Sequence, residues 1–211
     1  MKYYYLFFSL KHNMRIGIEV NGVLRNTIDK VTQTYQKFLI DKTDGIDDNG
    51  EFKYEMNLPI DTLNLSDHLK FQNEEELYSF LYEEFPMEIF GHAQSTEYNT
   101  FNDLNEVYLK LRDDHDLIIV SDEIGKSKPS TLFFLSKFGC QFEKVKFYSN
   151  YTINSMWEEI DILLTANPAL LLEHPSDKIV IKFDTVYNKH SESELSISSI
   201  KELEEKLKQI I

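Results

Sequence analysis

The segment MRIGIEVNGVLRNT, Met14 to Thr27, decides the fold of this chain. Its first part, Arg15–Val20, is apolar except at Arg15 and Glu19, as expected for a strand that is covered on both faces. Gly22 then provides for a tight turn, and the apolar pair Val23-Leu24 returns the chain to the interior. Glu19 and Asn21 are the polar side chains at the junction between strand and turn. The segment therefore predicts a buried strand that ends in a polar loop.

Four later segments repeat this buried-strand pattern and are separated by helix-like stretches. One such helix is predicted over Ser130–Phe138 and ends before Gly139, a suitable helix C-cap. Another begins at Ser199-Ile-Lys-Glu202, which has the capping-box pattern, and continues with apolar residues at helical spacing. Strands that alternate with helices indicate an α/β fold with a mostly parallel sheet. The predicted later strands are Asp116–Ser121, Lys144–Ser149, Ile160–Thr165 and Lys178–Phe183.

Residues 26–114 form an insertion between the first and second strands. Its predicted helices are Ile28–Ile40, Glu74–Phe85 after the N-cap Asn73, and a third from Thr100 to Arg112. We therefore predict an N-terminal extension over 1–13, a core domain over 14–25 and 115–211, and a helical module over 26–114. The acidic linker Lys42–Tyr54 lacks the end ligands of a calcium loop, so a turn, with a hairpin near Asn49-Gly50 as one form of it, is the better interpretation.

The composition narrows the classes of partner. Lys and Arg total 22 against 36 Asp and Glu, so the formal net charge is −14. Binding to nucleic acid or to an anionic membrane requires basic residues, so neither partner is expected. One cysteine, Cys140, excludes an internal disulfide and a cysteine-based zinc site, and favours a cytoplasmic setting. The apolar run Tyr3–Leu10 is too short to span a bilayer.

Four motifs, in this order, resemble the haloacid dehalogenase-like (HAD) superfamily, especially its 5'(3')-deoxyribonucleotidase-like branch. The resemblance covers Met14–Ile211 and implies a Rossmann-like core with a helical cap inserted after the first strand. The turn Val186-Tyr187-Asn188 also lies where such nucleotidases carry Pro-Tyr-Asn. The four motifs are EVNGVLRNT (Glu19–Thr27), LIIVSDE (Leu117–Glu123), KSKPSTLFFLSKFG (Lys126–Gly139) and DILLTANP (Asp161–Pro168).

The resemblance implies a site for phosphoryl transfer. A carboxylate at position 19 would attack phosphorus, and a second at position 21 would protonate the leaving oxygen. Mg²⁺ would be held by the first carboxylate and by acids at positions 165 and 166. The groups that would hold the phosphoryl oxygens are Gly22, Ser121 and one of Lys126 and Lys128.

This sequence departs from the pattern at the positions that carry the chemistry. Glu19 is one methylene longer than the expected aspartate, and Asn21 does not titrate in the relevant range. Thr165 and Ala166 replace the acidic pair that would anchor the metal, and Asp161 lies inside the predicted strand. Glu19 either retains weak metal binding or hydrogen-bonds the backbone amides of the Gly22 turn. We expect no resident cofactor, with Mg²⁺ only if some activity survives.

The remaining features have alternative interpretations. Ser121 either binds an anion or completes a local turn, and the two lysines either contact a ligand or are solvated loop charges. The aromatic and acidic run Leu77–Phe90 is either core of the inserted module or a surface for a partner. No metal site is expected from the histidines, which lack ligand spacing; they include His68, His92, His115 and His174.

Three hypotheses for function follow. The first is a catalytically degenerate HAD-like protein, a pseudophosphatase retained to bind a small phosphorylated ligand or a protein partner. The second is an active phosphatase or 5'-nucleotidase that acts on nucleoside monophosphates through Glu19. The third is a structural subunit of a larger assembly, for example a viral particle.

Overall fold

A six-stranded parallel sheet forms the centre of the protein in the computed structural model, which describes residues 13–43 and 60–210. The strand order is β3-β2-β1-β4-β5-β6, so β1 lies between two strands that come much later in the chain. The carboxyl ends of all six strands therefore meet at one edge. The strands are β1 (Arg15–Glu19), β2 (Asp116–Asp122), β3 (Lys144–Tyr148), β4 (Ile162–Thr165), β5 (Ile179–Phe183) and β6 (Ser196–Ile197).

Helices surround this sheet and fill the insertion between β1 and β2. A π-helical turn, Phe80–Glu84, extends α2, and a second, Met87–Gly91, follows Pro86. Short 3-10 helices occupy Leu65–Asp67, Val186–Asn188 and Ile200–Glu202. The α-helices are α1 (Thr27–Thr43), α2 (Glu74–Ser79), α3 (Thr100–Leu111), α4 (Ser127–Lys137), α5 (Ile153–Trp157), α6 (Pro168–Leu172) and α7 (Leu203–Ile210).

Two apolar layers cover the faces of the sheet. Alternate strand residues point to opposite faces, so Ile16 and Ile18 join one layer, while Leu163 and Val180 join the other. Gly17 faces the second layer, where a Cβ atom would lie 2.6 Å from Cδ1 of Ile160. A side chain at this position would therefore displace the packing beneath β1.

The predicted fold class and all five predicted strands are confirmed. Gly139, at φ 70°, ends α4 as expected, and its amide donates to the carbonyl of Ser136. The capping box at Ser199 is wrong, because its side chain caps no helix amide. Glu202 instead accepts hydrogen bonds from the amide and hydroxyl of Ser198.

The insertion has its own apolar cluster. Aromatic side chains of α1 and of the segment around α2, among them Tyr35, Phe38 and Phe80, pack together there. Where the insertion leaves the core and returns to it, the amide of Asn26 donates to the carbonyl of Gln94, and that of Thr96 to Leu24. The three predicted helices are present, with α2 continuing into π-helical geometry before Pro86. The division into core, cap and N-terminal extension stays a prediction.

Two sequence-based interpretations lie outside the described residues: the extension before residue 13 and the hairpin near Asn49-Gly50. Across the ranges 13–43 and 60–210, each helix is too short or too polar to cross a membrane.

Candidate functional site

A cavity of about 260 Å³ lies at the carboxyl edge of the sheet, beneath the insertion. Its floor comes from the ends of the core strands and the loops that follow them. Its roof comes from α1 and later parts of the insertion, and is mostly apolar. The floor residues are Glu19, Asn21, Gly22, Asp122, Asn167 and Tyr187, and the roof residues are Thr27, Ile28, Val31, Leu63, Leu65, Leu81, Tyr82 and Phe90.

Glu19 ends β1 at the floor of this cavity and is 1% exposed. The Tyr148 hydroxyl donates to its Oε1 atom at 2.5 Å, and the Thr165 hydroxyl donates to Oε2. The backbone amide of Ala166 gives further support. The prediction that Glu19 hydrogen-bonds the backbone amides of the Gly22 turn is therefore wrong, because hydroxyl groups from β3 and β4 bind the carboxylate instead. Both Glu19 oxygens are already engaged within the protein.

Burial changes the acidity of both carboxyl groups in the cavity. Desolvation raises the pKa of Glu19 from 4.5 to about 7, against the opposing effect of the Thr165 and Tyr148 hydrogen bonds. Desolvation and the nearby charge of Glu123 raise the pKa of Asp122 from 3.8 to about 6. Near neutral pH, protonated and ionised Glu19 are therefore both populated.

We predict that Glu19 makes the protein less stable as the pH rises. Between pH 4.5 and about 7 the unfolded chain ionises this carboxyl while the folded protein retains its proton, so the free energy of unfolding decreases. The decrease is about 3 kcal/mol, and Asp122 acts in the same direction below pH 6. Asp161 has a pKa of about 2 and contributes only under more acidic conditions. Urea denaturation at pH 5 and pH 8 measures the effect.

Glu19→Gln tests the assignment of this pH dependence to one residue, because the amide has nearly the same shape and no ionisation. We expect its free energy of unfolding to change much less than the wild type between pH 5 and pH 8. Glu143→Gln, at an exposed position, serves as the matched control and should keep the wild-type dependence. A Glu19→Gln protein with the full wild-type slope would contradict the assignment.

Asn21, the second position of the motif, is held by a buried arginine. Arg25 is fully buried, and its Nη2 atom donates to Asn21 Oδ1 at 2.6 Å. The same guanidinium pairs with Glu123 and donates to Thr131 Oγ1 at 2.6 Å. It also donates to the carbonyl oxygen of Phe90 at 2.8 Å, which connects the floor of the cavity to its roof. Asn21 is therefore a fixed hydrogen-bond acceptor.

Gly22 adopts φ 77°, and the Tyr187 hydroxyl lies directly over it. Tyr187 belongs to the short helix that starts after β5. The next residue, Asn188, is buried and donates to the carbonyls of Ala166 at 3.0 Å and Phe183 at 2.8 Å. The turn Val186-Tyr187-Asn188, which resembles the Pro-Tyr-Asn segment of the nucleotidases, thus closes one side of the cavity.

The other predicted phosphate-binding side chains do not line the cavity. The Ser121 hydroxyl is buried and donates to Glu123 at 3.2 Å. Lys126 pairs with Glu83 at 2.8 Å on the insertion, and the Lys128 ammonium lies 5.8 Å from the centre of the Phe147 ring. Their role in phosphate binding stays a prediction, and this geometry weighs against it.

The residues present do not fit the Mg²⁺ that the HAD resemblance implies. Mg²⁺ requires near-octahedral oxygen ligands. Glu19 already accepts hydrogen bonds at both oxygens, Thr165 donates to it, and the Ala166 carbonyl accepts from Asn188. Among the described residues that line the cavity, Asp122 is the only other carboxyl. Within 13–43 and 60–210, no cluster of three or more His, Cys, Asp or Glu side chains could hold a metal.

Comparison with known proteins gives a structural likeness only. No family model and no curated protein matches the sequence. A haloacid dehalogenase-like hydrolase from Burkholderia xenovorans LB400 superposes with a TM-score of 0.59 over 95% of this chain and 99% of its own, at 11% identity. This chain has the Rossmann-like HAD fold.

Two further HAD-fold structures are similar over most of their length. A predicted phosphoglycolate phosphatase from Haemophilus somnus 129PT gives a TM-score of 0.55 at 15% identity, over 94% of this chain and 98% of its own. β-Phosphoglucomutase from Clostridium difficile gives 0.51 at 12% identity, over 94% and 98%. At such identities the likeness establishes the fold alone.

The sequence reasoning missed most of the residues around Glu19. Asp122 directly follows Ser121, which was predicted as a site residue. Its position at the end of a strand is the sequence feature that could have identified it. Tyr148 also ends a predicted strand, and the parallel arrangement brings that end to the same edge as Glu19. Tyr82 and Phe90 belong to the run predicted as either core of the insertion or a surface for a partner, and part of each faces the cavity.

Proposed function

We propose that this chain is a catalytically degenerate HAD-fold protein, a pseudophosphatase whose cavity is retained for binding. One observation carries the proposal. Glu19, at the position from which a carboxylate would attack phosphorus, is buried and accepts a hydroxyl hydrogen bond at each oxygen. A small ligand in the cavity is the first expected function, with a protein partner as the other form of binding.

The chemistry of the neighbouring groups supports this proposal. A carboxylate nucleophile has to be ionised and directed at the phosphorus atom. Glu19 has a raised pKa and two hydroxyl partners, both of which lower its reactivity. Asn21 carries an amide, which cannot supply the proton for the leaving group, and its oxygen is held by Arg25 and Thr27. Loss of general acid catalysis alone costs about 10²–10⁴-fold in rate.

One observation favours the alternative of an active hydrolase. Carboxyl groups with raised pKa values occur often in active sites, and Glu19 and Asp122 both have this property. An enzyme that used this pair would depend on Glu19 for turnover, whereas a binding protein would not turn over a phosphate ester at all. A kinetic experiment therefore separates the two functions.

We predict no phosphatase turnover above background. Purified protein would be incubated with Mg²⁺ and either p-nitrophenyl phosphate or a panel of deoxynucleoside monophosphates. Phosphate release should equal that of Glu19→Ala, while an active phosphatase measured in parallel confirms the assay. Turnover that disappears in Glu19→Ala would overturn the proposal.

A further inference from the structure

The cavity beneath the insertion is acidic in its lining. Glu19 and Asp122 lie at its floor, and no Lys, Arg or His is among its described lining residues. The two carboxyls differ in their partners. Glu19 accepts hydrogen bonds from Tyr148 and Thr165. Among the described residues, no hydrogen-bond donor acts on the Asp122 carboxyl to lower its pKa. The Asp122 carboxylate is thus available to a ligand.

A second cavity, of about 780 Å³, adjoins the first across Gly22 and Tyr187. Thr27 and Ile28 also line both spaces, so the two cavities are neighbours along α1. The second space is also acidic and has no described basic lining residue. Its carboxyl groups are Asp29, Glu97 and Asp184.

The roof of the first cavity offers an apolar and aromatic surface. The rings of Tyr82 and Phe90 stack with centroids 5.6 Å apart and an interplanar angle of 13°. Leu81 and Val31 extend this surface beside them. A ligand in this cavity therefore contacts carboxyl and amide oxygens on one side and apolar groups on the other.

We propose that this cavity binds an organic ammonium ion, a primary amine that carries an apolar or aromatic group, in preference to a phosphorylated compound. The inference rests on the proposed binding function and names the ligand class for that site. An ammonium group brings three hydrogen-bond donors and a positive charge toward Asp122 and Glu19. The apolar part of the ligand lies against the roof, where aromatic faces also attract cations.

A phosphate ester presents the opposite electrostatics. Its charge would lie beside two carboxyl groups, without a described lysine, arginine or histidine in the lining to compensate. Like charges in a partly buried cavity repel more strongly than in water. The lining therefore discriminates by the sign of the ligand's charge.

Three probe ligands of similar size test this discrimination: 2-phenylethylamine, 2-phenylethanol and phenyl phosphate. Each would be titrated into the full-length protein by isothermal titration calorimetry at pH 7.5. We expect the amine to bind about tenfold or more tightly than the alcohol, the increment of one charged hydrogen bond. We expect phenyl phosphate to give no measurable binding. Equal affinity for amine and alcohol, or no binding by any probe, would overturn the inference.

Asp122→Asn locates the charge that recognises the amine. The substitution preserves the shape of the side chain and removes its charge, so amine affinity should fall about tenfold while alcohol affinity stays unchanged. Asp113→Asn is the matched control, because Asp113 is exposed at the turn before β2. An unchanged amine affinity in Asp122→Asn would contradict the assignment.

Proton release on amine binding distinguishes a direct role of Glu19 and Asp122 from a structural one. Residues that only support the fold would not release protons when the ligand binds. Bound ammonium favours ionised Glu19 and Asp122, so binding at pH 6.5 should release protons, measured as a calorimetric enthalpy that varies with buffer. The affinity should rise between pH 5.5 and pH 8. The groups that face this pair are Tyr148 from β3, Tyr187 after β5, Glu123 directly after β2 and Tyr82 from the insertion.

The two proposals fail in different ways. Phosphate turnover that depends on Glu19 would overturn the binding function itself. Binding of phenyl phosphate without turnover would leave that function standing and overturn the ammonium ligand. Amine binding with the Asp122→Asn loss and without turnover supports both.

Discussion

Arg25→Met is expected to lower the free energy of unfolding by about 3–5 kcal/mol, the cost of leaving a buried charge without its partner. Arg25 is fully buried, and Glu123 is 1% exposed. Removal of the guanidinium leaves Glu123, among the residues that the structure describes, with only the hydroxyls of Thr131, at 2.9 Å, and Ser121. The midpoint of thermal unfolding should fall by about 10 °C.

A double substitution separates the cost of the unpaired charge from the loss of packing. Arg25 also packs between the rings of Phe90 and Phe134, with its guanidinium carbon 5.0 and 5.3 Å from their centroids. Methionine fills part of this space, and Glu123→Gln removes the unpaired charge. We expect Arg25→Met/Glu123→Gln to recover about half of the lost stability.

Arg112→Met is the control for removal of an arginine. Arg112 lies at the surface, where its guanidinium is near Tyr108 and exposed Asp113, so its loss should cost about 1 kcal/mol or less. Urea denaturation of all four proteins gives the comparison. If Arg25→Met unfolds at the wild-type urea concentration, the buried pair does not stabilise this region.

Gly22→Ala should destabilise the protein by about 2–4 kcal/mol through two separate effects. The positive φ of 77° disfavours any side chain. In addition, a Cβ atom would lie 1.8 Å from the Tyr187 hydroxyl oxygen and 2.9 Å from the Ala166 Cβ atom. The chain therefore has to move at the floor of the cavity, and ligand binding should weaken together with stability.

Gly139→Ala measures the first effect alone. Gly139 has a similar φ of 70°, but its added Cβ would meet nothing within 4 Å, so the expected cost is about 1 kcal/mol. Adding Tyr187→Phe to Gly22→Ala removes the shortest contact and should recover part of the remainder. Equal losses in Gly22→Ala and Gly139→Ala would show that the Tyr187 hydroxyl does not limit this turn.

The sequence predicted the sheet well because its central strands carry apolar side chains on both faces. That pattern is local, and it marks strands such as Ile16–Ile18 within β1 without knowledge of their neighbours. The sixth strand escaped prediction because Ser196–Ile197 has two residues, too few for a pattern. Helices α5 and α6 were not predicted either. Each has five residues, little more than one turn, which is too few to show a helical pattern.

The candidate site was less predictable because its contacts join distant parts of the chain. Tyr148 lies 129 residues from Glu19, and Thr165 lies 146 residues away. Local spacing cannot show that these hydroxyls meet one carboxylate. Arg25 was recognised only as a member of the first motif. Nothing near it in the sequence indicates that its side chain is buried beside Glu123, 98 residues later. The parallel sheet brings these positions to one edge.

Mass spectrometry tests directly whether Glu19 attacks phosphorus. A carboxylate that attacks phosphorus becomes an acyl phosphate, which adds the mass of one phosphoryl group to the protein. The protein would be incubated with Mg²⁺ and acetyl phosphate, quenched in acid and weighed intact by mass spectrometry. A catalytically degenerate site predicts that wild-type protein keeps its unmodified mass, with no phosphoryl adduct, as Glu19→Ala keeps its own. A phosphoryl adduct on Glu19, absent from Glu19→Ala, would contradict it.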